Sequence, residues 1–233
     1  MARKPRFNLK DHPQYIMQRG HNRLPCFFDE KDYGYFLDCL EKAARQYQCE
    51  VHAYCLLETE IHILATPRIQ GGISQMMQSL GRRYVQYINH RYHRSGTLWE
   101  GRYKSSLIDS EGYLITCYRY IESLAVDRGR AESVDKHKWS SYLNHAQGIE
   151  NPLVTEHSMF SQLGETPEEC QAQYRDLFQY EIDPGTKNHI NDTLNLELVL
   201  GGDLFKSRIQ NLVDRPVRPL KRGRPPKSKE WEA

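Results

Sequence analysis

Glu60-Ile61-His62-Ile63-Leu64 alternates polar and apolar side chains. A period of two is that of a strand, so Glu60 and His62 share one face and Ile61 and Ile63 take the other. The run reads as a strand over residues 61–66, stopped by Pro67. Residues 49–57 before it read as a second strand, with Glu58-Thr59 near the turn. Glu60 and His62 are both metal-capable, so one face of this strand carries half of a metal site.

Outward from this hairpin, the N-terminal side begins with a short strand, Tyr15-Ile16-Met17-Gln18, followed by the loop Arg19-Gly20-His21-Asn22-Arg23. Asp29 can cap a helix running to about Gln48, with Tyr33, Phe36, Leu37, Leu40 and Ala44 on one face. On the C-terminal side, Gly71-Gly72 precedes a helix over about 73–92, whose apolar or aromatic positions are Met76, Leu80, Tyr84, Tyr87 and Ile88. An irregular stretch, 95–104, leads to a strand at 105–108. Asp109 or Ser110 then caps a tyrosine-rich helix running to about Leu124.

The order strand, helix, strand, strand, helix, strand, helix predicts an α+β fold: a ferredoxin-like antiparallel sheet with helices packed on one of its faces. This domain is expected to span 1–130. Residues 131–215 read as a mostly helical extension, and 216–233 as a basic, disordered tail rich in proline and lysine.

The chain has 233 residues, 39% hydrophobic and 27% charged, so it can bury a core under an ionic surface. No apolar run approaches the ~20 residues of a membrane span, and no secretory pattern opens the chain. A soluble, cytoplasmic, nucleoid-associated protein is expected, with no membrane partner. Its six cysteines, Cys26, Cys39, Cys49, Cys55, Cys117 and Cys170, include no CxxC pair and read as reduced core thiols. The net charge of +2 hides segregation: basic clusters lie at the N-terminus, in the middle and at the C-terminus, while acidic residues gather around 156–183. Basic clusters interleaved with aromatics are a nucleic-acid footprint.

Several ordered segments resemble one family. They are residues 18–23, Phe27-Phe28-Asp29, residues 50–54, Met77-Gln78-Ser79-Leu80-Gly81-Arg82-Arg83-Tyr84, residues 96–106, residues 113–122, Trp139-Ser140-Ser141-Tyr142 and Lys221-Arg222-Gly223-Arg224-Pro225. Together the chain resembles the REP-associated tyrosine transposases, IS200-like members of the single-tyrosine HUH transposase family. The resemblance implies the HUH endonuclease fold and a substrate of hairpin-forming single-stranded DNA. It implies one divalent ion, Mg²⁺ or Mn²⁺, and a tyrosine that attacks the scissile phosphate to give a 5′-phosphotyrosine link. It places that nucleophile at Tyr120 and the metal ligands at His62 and Glu60.

Two of the three metal positions depart from the family pattern, and Leu124-Ala125 stands where the family has Asn-Pro. Glu60 stands where the first histidine of a pair is expected, and Leu124 where a polar ligand is expected. A carboxylate can serve Mg²⁺ or Mn²⁺; leucine cannot. Glu122 is about 200° around the helix from Tyr120 and poorly placed to replace it. A DNA transposase with a degenerate metal site is therefore one expectation. A catalytically lapsed DNA-binding regulator is the other, and a plasmid replication initiator a third that lacks its helicase domain.

Arg19 and Arg23 flank the first loop; Arg82, Arg83 and Arg91 share one helix; Arg102 and Lys104 follow Trp99. All are expected to contact DNA phosphates. Arg222 and Arg224 in the tail resemble an AT-hook core, suited to an A·T minor groove. Tyr84 and Tyr87 read as core, Tyr113 as packing and His52 as structural. The protein is expected to act as a monomer or homodimer.

Overall fold

The computed structural model describes residues 5–219, so Arg222 and Arg224, expected to suit an A·T minor groove, lie outside the described residues. Five strands form one sheet in the order β2-β3-β1-β4-β5: β1 (Gln14–Arg19), β2 (Cys49–Leu57), β3 (Glu60–Pro67), β4 (Lys104–Ile108) and β5 (Val199–Leu200). The first four pair antiparallel, in the ferredoxin-like arrangement expected from the sequence. β5 joins the edge in parallel with β4, a strand drawn from the extension that the sequence reading did not include. At two residues it is too short to show any periodicity.

Two helices, α1 (Glu30–Gln46) and α2 (Gly72–Arg91), cover the face that receives Ile16, Ile61, Ile63 and Ala65. Asp29 caps α1 as expected: its side chain accepts from the Lys31 N–H at 2.6 Å. Asp32 returns the bond by accepting from the Asp29 N–H at 3.1 Å. Such caps are worth about 1 kcal/mol. The helix stops at Gln46 because Gln48 takes a left-handed φ of +49°.

The helices do not lie on one face only, which corrects the expected layering. α3 (Ser110–Asp127) packs on the opposite face, against Tyr15, Met17, Ala53, Cys55 and Leu64. It runs one turn beyond Leu124. Most of the extension follows it there, as α4 (Tyr142–Gln147), α5 (Ser158–Ser161), α6 (Pro167–Asp176) and α7 (Pro184–Asn195), whereas α8 (Asp203–Leu212) buries Ile209 in a separate cluster with Phe7, Leu107 and Val199. Tyr142, Phe160, Tyr174, Ile190 and Leu194 from α4 to α7 join α3 in one buried core. β3 is consequently buried along its whole length, with helices on both sides.

A buried polar cluster fastens α3 to the extension. Glu122 accepts from the Ser141 hydroxyl at 2.5 Å, from His145 Nδ1 at 2.7 Å and from the Tyr174 hydroxyl at 2.6 Å. Glu122 and His145 are both fully buried. A carboxylate removed from water is tolerable only when its lone pairs are filled in this way. All six cysteines are buried and unpaired. No helix among the described residues is long and apolar enough to cross a membrane.

Candidate active site

Strand alternation places Glu60 and His62 on the face covered by α3. Their strand neighbours Ile61 and Ile63 enter the other core, as the period-two pattern requires. On the adjacent strand the register sets Arg19 opposite Glu60 and Met17 opposite His62. Arg19 Nε donates to Glu60 Oε2 at 3.0 Å. His62 Nε2 lies 3.3 Å from the other carboxylate oxygen, and Arg128 approaches that same oxygen at 3.6 Å.

His62 is 4% exposed, and its Nδ1 is 2.7 Å from the Tyr15 hydroxyl. Burial lowers the imidazole pKa, and Glu60 only partly opposes this, so His62 is neutral at neutral pH. In the neutral ring Nδ1 accepts the Tyr15 hydroxyl proton, while Nε2, buried 3.3 Å from Glu60, makes no hydrogen bond. Burial alone would push the Glu60 carboxyl up. The interactions with His62 and Arg19 outweigh it and hold the carboxyl at about 2.

Tyr120 comes from α3 and lies edge-on to Tyr15, with ring centroids 6.1 Å apart. It is 6% exposed, and burial pushes its hydroxyl up to about 12 despite the opposing charge of Arg128. The Tyr15 hydroxyl beside it is committed to His62. Tyr120, Tyr15, His62 and Glu60 thus form a continuous row from helix to hairpin.

At the Glu60 end the row opens into a cleft of about 290 Å³. Arg19, Arg23, Leu57, Glu58, Thr59, Glu60, Arg128 and Arg130 line it. The loop after β1 is held tightly there. A Cβ on Gly20 would stand 2.1 Å from the Leu24 carbonyl oxygen, so only glycine fits. Asn22 and Arg23 adopt left-handed φ values of +54° and +58°. Left-handed backbone is costly for arginine and is kept where surrounding structure enforces it.

The other basic candidates are dispersed. Arg82 and Arg83 are exposed on α2, across the sheet from Tyr120. Arg91 is drawn to the start of α1, with ion pairs to Asp29 at 2.5 Å and Asp32 at 3.7 Å. Lys104 donates to Asn195 at 2.8 Å. Arg102 is exposed in the loop before β4. Tyr84 is core, its hydroxyl donating to the Cys26 carbonyl. His52 is held between Thr66 and Thr155.

Arg128, Arg130 and Tyr15 belong to the site and were not singled out from the sequence. The available signal was the Arg128-Gly129-Arg130 pair of cations directly after the tyrosine helix.

The donor set does not fit a divalent ion. His62 Nε2 faces Glu60 without a hydrogen-bond partner, but it is a single donor, because both Glu60 oxygens already meet guanidinium groups. Leu124 is buried and offers no donor. Glu122 is consumed by the cluster with Ser141, His145 and Tyr174. Asp127 pairs with Lys187 at 2.8 Å. Among the described residues no group of three or more His, Cys, Asp or Glu side chains is arranged to hold a metal.

Comparison with known proteins agrees with the fold. A REP-associated tyrosine transposase solved bound to a REP hairpin superposes with a TM-score of 0.55 at 17% identity. The match covers 67% of this chain and 93% of that one. A protein described as a transposase candidate from Deinococcus radiodurans R1 aligns at a TM-score of 0.36 and 23% identity, over 53% of this chain and 95% of that one. Only the first is close enough to bear on the fold. No curated protein matches. Residues 10–124, which hold Arg19, Glu60, His62 and Tyr120, match the family model described as transposase IS200 like, and through them the chain belongs to the IS200-like transposase family.

Proposed function

We propose that this protein binds the single-stranded flank of a hairpin-forming DNA and cuts and rejoins that strand through Tyr120. The observation that carries this reading is the convergence of sequence-distant groups. Arg19 and Arg23 from the first loop, Glu60 and His62 from β3, and Tyr120 and Arg128 from α3 and its end meet on one side of the sheet. A cationic cleft within electrostatic reach of a tyrosine hydroxyl suits a phosphodiester and a nucleophile to attack it.

In the step itself, the Tyr120 oxygen forms a bond to phosphorus and the bond from phosphorus to the 3′ oxygen breaks. The leaving oxygen carries away the electron pair and takes a proton, giving a free 3′-hydroxyl, while the phenol proton passes to solvent. The bond energy is kept in the 5′-phosphotyrosine, so rejoining needs no nucleotide cofactor. Arginines on the backbone hold the strand, and the charge of Arg128 favours the phenolate over the phenol. In a cell such a protein acts on cytoplasmic, nucleoid DNA.

The family's divalent chemistry, polarisation of the scissile phosphate by Mg²⁺ or Mn²⁺, finds no fitting donor set here. That observation favours a second reading, a DNA-binding regulator that recognises the hairpin without cutting it. The test is incubation of the full chain with hairpin oligodeoxynucleotides carrying single-stranded flanks, followed by a denaturing protein gel. A DNA-bearing protein band absent in Tyr120→Phe supports strand transfer. Binding without any such band supports the regulator.

A further inference from the structure

We propose that Arg19 and Arg128, oriented by Glu60, form a phosphodiester clamp that supplies the positive charge a divalent ion would otherwise bring, so that this cleft grips a DNA backbone without metal. The inference rests on the DNA-binding reading above and deepens it.

Glu60 is a single carboxylate between two guanidinium groups. Arg19 Nε sits 3.0 Å from one oxygen and Arg128 3.6 Å from the other. One negative charge cannot neutralise two cations. Across the whole cleft, four arginines face two glutamates. Arg130 is occupied with Glu58 at 3.4 Å, which leaves the excess charge with Arg19, Arg23 and Arg128.

Hydrogen-bonding capacity points the same way. A guanidinium has five N–H donors in a planar fork. Arg19 spends its Nε on Glu60, which leaves the terminal fork for another acceptor. The Arg19 side chain is 27% exposed and that of Arg128 50% exposed, both at the cleft. Bidentate guanidinium contact with a phosphate is a strong, charge-assisted interaction.

A cation at Glu60 and His62 would sit within coordination distance of oxygens that already face guanidinium groups. Like charges that close repel, and no third ligand compensates. Glu60 is therefore a positioning residue for the arginines. His62 serves the same end, held by Tyr15 and turned towards Glu60.

The test uses the full chain and a fluorescein-labelled hairpin oligodeoxynucleotide with a single-stranded flank on each side. At matched ionic strength, affinity is expected to be the same in EDTA as in Mg²⁺ or Mn²⁺. Arg19→Gln and Arg128→Gln are each expected to weaken binding ~10-fold and to reduce the salt slope by ~1. Mn²⁺ alone, followed by electron paramagnetic resonance, is expected to show no protein-bound ion in the wild type. Bound Mn²⁺ that disappears in Glu60→Gln overturns the clamp, whatever the variants do to folding. So does DNA binding that requires metal, or an unchanged salt slope in the folded, half-exposed Arg128→Gln. Failure to bind the hairpin in either buffer overturns the DNA-binding reading together with the clamp, whereas binding that needs metal overturns the clamp alone.

Discussion

Arg19 lies directly opposite Glu60 in the β1–β3 register, and its Nε meets the Glu60 carboxylate at 3.0 Å. A register position therefore fixes an ion pair, and the ion pair lines the cleft at the far end of the row that starts at Tyr120. Slipping β1 by one residue would turn Arg19 to the other face of the sheet and lose it.

The Glu60 carboxyl is held at about 2 in the folded chain, against an ordinary 4.5. A depressed carboxyl stabilises the fold above its unfolded pKa and loses that contribution as pH falls through the folded value. The shift corresponds to on the order of 3 kcal/mol at neutral pH. Glu60→Gln is expected to be less stable than wild type at neutral pH, with the gap closing between pH 4.5 and 2. Denaturant melts of both proteins across that range check it.

Burial raises the Tyr120 hydroxyl to about 12, so the nucleophilic phenolate is scarce at neutral pH. Below that pKa its population grows about tenfold per pH unit. Single-turnover formation of the covalent DNA adduct is expected to accelerate with pH over the alkaline range in which the protein stays folded. A rate that is flat with pH would show that phenol deprotonation does not limit the step. Tyr120→Phe should bind the oligonucleotide as wild type does and form no adduct.

Glu122 joins α3 to Ser141, His145 and Tyr174 of the extension. Replacing it with leucine leaves three donors in a buried site without their acceptor. The expected cost is ~3–5 kcal/mol, with Glu122→Gln costing less. Protease cleavage between α3 and α4 should appear earlier in Glu122→Leu than in wild type under native conditions.

Gly20 has no room for a side chain beside the Leu24 carbonyl. Gly20→Ala is expected to displace the loop that carries Arg19 and Arg23 and to weaken hairpin DNA binding. The stability cost should be ~1–3 kcal/mol. A melt combined with a binding isotherm separates the two effects. Unchanged affinity in a folded Gly20→Ala would place the DNA away from this loop.

The ferredoxin-like order, the shared face of Glu60 and His62, and the tyrosine helix were legible in the sequence. Each is written in a local pattern: strand alternation, helical spacing, a capping aspartate, a proline stop. What lies on either side of the sheet was not. Helices with one apolar stripe can dock on either face, and only the fully buried β3 shows that both are covered. β5 was equally hidden, since two residues carry no period and its pairing with β4 depends on where the extension returns.

The sequence by itself determined which residue types stand on which strand and helix, because side-chain direction follows backbone periodicity within a few residues. Tertiary structure alone decided that Arg19 and Arg128, more than a hundred positions apart, share the Glu60 carboxylate. It also decided that Glu122 turns inward to the extension. An ion's partner is set by strand register and helix docking, which arise from the packing of the whole core and leave no trace in the spacing of the residues that meet.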